Sequence, residues 1–162
     1  MKTTILILLL SLTASAQNTK PVSTNDLGQC LLKIENGKVS CFIHRIYKDA
    51  VFVKEKYGIP VALTIGQACF ESGYGKSKLA KESNNFFGIR RNHQFCKYKS
   101  QRECFEDYAG SVLSSRCYNV RQKDTLPQWY KALQDCKYFA PNKGYIEKLN
   151  NIIFKYNLDL LN

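Results

Sequence analysis

The acidic residue Glu71 stands in the stretch QACFESGYGKSKLAKESNNFFGIR, residues 67–90, between an apolar run and a segment rich in Gly, Ser, Asn and aromatics. A carboxyl group in that setting suits general acid catalysis, provided its surroundings keep it protonated near neutral pH. The apolar stripe before it predicts a helix opening at Pro60, running through Val61, Ile65 and Ala68, and stopping near Gly73, a residue fitted to a left-handed cap. Glu71 then lies beside the negative pole of that helix, which disfavours the ionised form by about 0.3 to 1 kcal/mol. Raising a Glu from about 4.3 to the 6 or 7 useful to an acid takes roughly 2.7 kcal/mol or more, so burial has to supply the difference. Tyr74, Phe86 and Phe87 are nearby surfaces able to supply it, as in sites where an apolar pocket keeps an acid protonated for glycosidic cleavage. By itself, though, a Glu at a helix end is more often a solvated charge.

The elements that must position Glu71 read as helices. Phe42, Ile46, Ala50, Val53 and Tyr57 recur every three or four residues from Cys41 to Tyr57, with Arg45, Lys48, Asp49 and Lys56 largely on the other side, and Gly58 ends the stripe. Upstream, Asn36-Gly37 is a turn signal between two short apolar stretches, open to a hairpin or a tight link into that helix. Asp107–Ser115, Pro127–Gln134 and Tyr145–Phe154 also read as helices, and Arg90–Lys99 as loop or short strand. The fold class expected is mainly α. No repeat or low-complexity tract interrupts it.

The first sixteen residues, MKTTILILLLSLTASA, have a basic start, an apolar core and an Ala-x-Ala end, and so predict an export signal cleaved after Ala16. That run is short of the roughly 20 residues that span a bilayer, so no stable membrane insertion is expected. Residues 17–40 form a leader and N-terminal extension, the first part polar and without periodicity, and residues 41–162 a single domain. Seven cysteines in an exported chain, without a Cys-x-x-Cys pair and with His44 and His93 far apart, favour disulfides over a metal site. Pairing by proximity joins Cys30 to Cys41, Cys96 to Cys104 and Cys117 to Cys136 and leaves Cys69 as a buried thiol. The net charge of +11 favours anionic partners, which for an exported protein means envelope polymers rather than nucleic acid, or else serves solubility alone.

The residues around Glu71 add a further pattern. YGIPVALTIGQACFESGYGKSKLAKESNNFFGIR resembles, almost position by position, the signature of the bacterial cell-wall N-acetylglucosaminidases of glycoside hydrolase family 73, which have a lysozyme-like helical fold. The likeness continues in FCKYKSQRECFEDYAGSVL, with its Asp107-Tyr108 pair, and in WYKALQDCKYFAPNKGYIEKLNNII, covering about Phe42 to Tyr156. The resemblance implies a peptidoglycan hydrolase, acting as a monomer without cofactor or metal on glycan strands. It implies Glu71 as the general acid for the β-1,4 bond after N-acetylglucosamine. Tyr138 matches the tyrosine that helps position water or the 2-acetamido group, although Phe139-Ala140-Pro141 follows where the family has small and acidic residues. Gln67, Tyr74, Asn85, Phe87, Tyr108, Tyr118 and Tyr145 would line or support the sugar groove, with core packing an equal reading for Phe87 and Tyr145.

The sequence departs from the family at one place. Full-length members carry a hairpin after the Phe-Gly-Ile motif that supplies a second carboxylate, but here only Arg91-Asn92-His93-Gln94 separates Arg90 from Phe95. The β-lobe is therefore expected to be reduced, with Cys96 and Cys104 stapling what remains. Without a second carboxylate the substrate's own 2-acetamido oxygen is expected to attack, Glu71 serving as acid and then base. Attack by the sugar's C6 hydroxyl, as in lytic transglycosylases, a muramidase specificity, recruitment of Glu103 or Glu106, and an inactive glycan-binding protein are the alternatives.

Overall fold

Val61–Ser72 forms the central helix of the protein, with every side chain from Val61 to Cys69 buried. In the computed structural model, which describes Gly28 and residues 37–113, 125–136 and 144–162, this helix is the second of six α-helices among the described residues from Gly37 onward. Helix α1, Gly37–Tyr57, precedes it and buries the expected stripe of Phe42, Ile46, Ala50 and Val53. It starts ahead of Cys41, so Gly37 belongs to the helix rather than to a hairpin turn. Helix α2, Val61–Ser72, follows Pro60 directly. Proline's fixed φ, here −55°, suits the entry to a helix, and its missing N–H costs nothing there.

Helix α3, Lys78–Ser83, is a single short piece capped by Ser77 Oγ accepting the Ala80 N–H. Arg90–Arg91 (β1) and Gln94–Phe95 (β2) then pair antiparallel, Arg90 opposite Phe95, as the reduced β-lobe. The turn residues Asn92 and His93 have φ of 49° and 63°, the double left-handed geometry of a tight two-residue hairpin. Helix α4, Gln101–Asp107, runs into a π-helical stretch, Tyr108–Leu113. Helix α5 spans Leu126–Asp135, held at its start by a capping box between Thr125 and Gln128, and helix α6 spans Tyr145–Lys155 before a closing 3₁₀ turn, Leu158–Leu161.

The molecule is thus mainly helical, and α2 packs against α1, α6 and the closing turn. Gly66 lets α6 come close. A Cβ there would stand 3.0 Å from both Leu149 Cδ1 and Ile153 Cγ1. That contact sets α6, and with it Tyr145, against the face of α2 that carries the site.

The expected disulfide framework is corrected in two of its three bridges. Cys41, Cys69, Cys96 and Cys104 are free thiols, which excludes the Cys30–Cys41 and Cys96–Cys104 pairings. Cys104 is spent on the core, fully buried, with its sulfur accepting the Phe86 N–H at 3.4 Å. For the third pairing, Cys136 is disulfide-bonded, while Cys117 lies outside the described residues.

Candidate active site

Glu71 sits in the last turn of α2, and Gly73 closes that helix in the left-handed conformation with its N–H on the Cys69 carbonyl. Ser72 secures the exit. Its Oγ donates to the Ala68 carbonyl at 2.5 Å and accepts the Gly75 N–H at 2.7 Å. Three consecutive residues, Gly73, Tyr74 and Gly75, have φ of 57°, 60° and 73°, a left-handed reversal that a chain of ordinary residues resists. Gly75 is fixed by space as well as by φ, since a Cβ would lie 2.5 Å from Phe42 Cε2. Tyr74 holds its conformation while its ring meets Tyr156 edge-on at 5.8 Å.

The side chain of Glu71 stays open to solvent, yet the protein around its carboxyl group withdraws enough water to raise its pKa. A hydrogen bond from Tyr145 Oη to Glu71 Oε1, at 3.1 Å, opposes that rise without cancelling it. Tyr145 stands at the first position of α6, itself buried, with its ring edge-on to Phe70 at 5.1 Å. Its own hydroxyl is pushed up by burial first and by the Glu71 charge second, so it stays protonated and able to donate. An exposed acid with a raised pKa and an ordered neighbour is equipped to hand a proton to a bridging oxygen.

The residues expected along a groove divide once placed. Tyr74 is half-buried beside Glu71. Gln67 and Tyr108 are fully buried, Asn85 is 1% exposed and Phe87 7%. Of the two roles expected for these residues, lining or supporting a groove, their burial suits the second: all four lie beneath the surface. Gln67, one helical turn before Glu71, accepts a hydrogen bond from Tyr108 Oη on Oε1 and donates from Nε2 to Tyr145 Oη at 3.2 Å. Asn85 brackets the loop before the hairpin, its Oδ1 accepting the Ile89 N–H at 2.9 Å and its Nδ2 donating to the Ile89 and Cys96 carbonyls at 2.9 and 3.0 Å. Phe87 stacks on Tyr108 at 3.9 Å and 10°. Tyr118 and Tyr138 lie outside the described residues.

The hairpin presents Arg90, Arg91, Asn92, His93 and Gln94, and no carboxylate. It is anchored where a disulfide was expected. Arg91 Nη2 donates to Asp107 Oδ1 at 2.5 Å, and Tyr98 Oη to Asp107 Oδ2 at 2.7 Å. Burial opposes the charge on Asp107, but the bonds from Arg91, Ser111 and Tyr98 outweigh it and hold its pKa below the ordinary value.

A pocket of about 620 Å³ adjoins this anchor, its lining including Arg91, Tyr98, Glu103, Glu106 and Asp107 but not Glu71. Its acids are engaged: Glu103 Oε2 accepts the Lys99 N–H at 2.7 Å, Glu106 pairs with Lys56, and Asp107 is held as above. Among the described residues no second carboxylate is bonded to Glu71, and no cluster of acids, histidines and cysteines forms a metal site.

Sequence reasoning missed that Tyr145 and Gln67 meet at Glu71. A signal existed in the spacing of Gln67 and Glu71, four residues apart and therefore on one face of α2. Tyr156, which backs Tyr74, carried none.

The profile of the mannosyl-glycoprotein endo-beta-N-acetylglucosaminidase family matches residues 47–158. The exo-glucosaminidase LytG of Bacillus subtilis is 28% identical over 146 residues, 73% of this chain and 51% of LytG, so the chain spans about half the length of that relative. The catalytic domain of the autolysin Auto from Listeria monocytogenes superposes with a TM-score of 0.68 at 26% identity, over 85% of this chain and 95% of that domain. The glycoside hydrolase domain of FlgJ from Salmonella typhimurium gives 0.65 at 26% identity, over 75% and 89%.

Proposed function

Because the chain belongs to the mannosyl-glycoprotein endo-beta-N-acetylglucosaminidase family, we propose that it is a glycosidase cleaving the β-1,4 bond after N-acetylglucosamine in peptidoglycan glycan strands, with Glu71 as general acid. The observation that carries this reading is the solvent-facing carboxyl group whose pKa burial raises and on which Tyr145 places a hydrogen bond. Its relatives bear the same direction of meaning, one being an exo-glucosaminidase and another a glycoside hydrolase domain.

The reaction follows from what surrounds Glu71. Protonated Glu71 gives its hydrogen to the glycosidic oxygen, the C1–O bond breaks, and the leaving sugar keeps the electron pair. No second carboxylate among the described residues is bonded at the site, so the substrate's 2-acetamido oxygen attacks C1 and forms a cyclic oxazolinium intermediate. Glu71, now ionised, takes a proton from the water that opens this ring, and the acid is restored. Tyr138 is the residue proposed to position the acetamido group or that water, on the strength of the sequence resemblance. The two arginines of the hairpin and the overall charge of +11 draw anionic wall polymers towards the domain.

The place of action is the cell wall, outside the cytoplasmic membrane, reached by way of the N-terminal export signal. No helix among the described residues is long and apolar enough to cross a membrane. Zymography on gels containing purified sacculi tests the proposal. The wild-type protein should clear a band and Glu71→Gln should not, whereas an inactive glycan-binding protein clears none in either form.

A further inference from the structure

Gln67 joins two tyrosines from distant parts of the chain to one another and to Glu71. Tyr108 Oη, at the start of the π-helical stretch, donates to Gln67 Oε1, Gln67 Nε2 donates to Tyr145 Oη at 3.2 Å, and Tyr145 Oη donates to Glu71 Oε1 at 3.1 Å. Every bond in this series points towards the carboxyl group. A tyrosine hydroxyl has one hydrogen to give. The amide hydrogen that Gln67 places on the Tyr145 oxygen leaves that one hydrogen free for Glu71. Turning the amide over would make Tyr145 donate to Gln67 and strip Glu71 of its donor. Tyr108, whose ring is fully buried and stacked on Phe87, donates to Gln67 Oε1 and so favours the amide orientation that turns Nε2 towards Tyr145.

Resting on the reading of Glu71 as the general acid, we infer that Gln67 and Tyr108 are positioning residues: through Tyr145 they commit Glu71 Oε1 to accepting a hydrogen bond and so assign the transferable proton to Oε2. Neither touches substrate, because both are fully buried. They act on the barrier to proton transfer rather than on sugar binding. Among the described residues Tyr145 is the titratable group bonded to Glu71, while Tyr74 and Tyr156, beyond it, bond to each other.

The sign of the effect follows from the direction of the last bond. Tyr145 donation favours the ionised carboxylate and lowers its pKa. A Tyr145 hydroxyl released from Gln67 donates less often, so the Glu71 pKa rises. The enzyme needs protonated Glu71, and its activity falls as pH climbs through that pKa. Loosening the relay therefore moves the alkaline limb of the rate profile upwards even as the rate drops.

The test uses the full chain and a soluble glycan fragment, with Gln67→Met, Tyr108→Phe, Tyr145→Phe and the Gln67→Met/Tyr145→Phe double variant. For Gln67→Met, kcat should fall about five- to ten-fold with KM held within about two-fold. Its alkaline limb should move up by about half a pH unit. The double variant should lose no more than Tyr145→Phe alone, since the relay acts as one unit. Additive losses, an unmoved alkaline limb, or a raised KM at unchanged kcat would each overturn the inference. Circular dichroism checks folding. If Gln67→Met proves unfolded, Tyr108→Phe, which removes a single oxygen, carries the same expectations. Equal rates for wild type and Glu71→Gln would instead sink the underlying reading, so the two failures are distinguishable.

Discussion

Tyr145 Oη lies 3.1 Å from Glu71 Oε1 although 74 residues separate them in the chain. The bond ties the end of α2 to the beginning of α6, the two helices that Gly66 allows to meet closely. The chemistry of the site therefore depends on the packing of those helices, and disturbing one disturbs the other.

The raised pKa of Glu71 has a consequence for stability. A carboxyl group that the folded protein prefers protonated destabilises the fold once pH rises through its folded pKa, and contributes no such penalty below its unfolded value. Glu71→Gln removes the ionised form. Its melting temperature should exceed that of wild type at pH 8, and the two should converge near pH 4. Calorimetry across that range checks this, and a Glu71→Gln protein less stable at pH 8 would contradict it.

The reversal after α2 should tolerate change at Gly73 and not at Gly75. A Cβ at Gly73 meets nothing within 4 Å, and Asn adopts a φ near 57° at little strain, so Gly73→Asn should cost less than about 1 kcal/mol. Gly75→Ala meets the Phe42 ring and an unfavourable φ together and should cost about 2 to 4 kcal/mol. Urea unfolding of both variants measures the contrast.

Asp107 anchors the hairpin as an ionised group. Its depressed pKa means that its contribution is present above the ordinary aspartate value and fades as pH falls through the folded value. Asp107→Asn should cost about 1 to 2 kcal/mol at neutral pH, because it loses charge-assisted bonds from Arg91 and Tyr98. The difference from wild type should narrow under strongly acid conditions. Equal stability at pH 7 would show that the hairpin does not depend on this anchor.

The thiols should report their surroundings. Cys41 is exposed and Cys96 partly so, while Cys69 and Cys104 are buried, with burial pushing the Cys104 thiol up to about 12. A maleimide should modify Cys41 quickly and Cys96 more slowly in the native protein. Cys69 and Cys104 should react only after unfolding. Mass mapping that finds Cys96 and Cys104 bonded to each other would refute the corrected assignment.

Much of this arrangement is legible in local chemistry. Pro60, the stripe from Val61 to Ala68 and Gly73 act within one helix, so they predict α2 and place Glu71 in its last turn. Arg90–Lys99 reads locally as loop or short strand with a reduced lobe, and only the pairing of Arg90 with Phe95 turns it into a hairpin. Helix α3 is too short to show a stripe, and α1 extends through a glycine that local rules assign to a turn. The supporting roles of Gln67, Asn85 and Tyr108 depend on contacts between distant segments, which spacing does not encode. The cysteines misled because proximity in sequence says nothing of burial, and Cys104 went into the core.

The most direct measurement is mass spectrometry of the products released from purified sacculi by the wild-type protein and by Glu71→Gln. The wild type should release fragments ending in reducing N-acetylglucosamine, and Glu71→Gln should release at least about a hundred-fold less. Fragments ending in 1,6-anhydromuramic acid, or undiminished release by Glu71→Gln, would contradict the account.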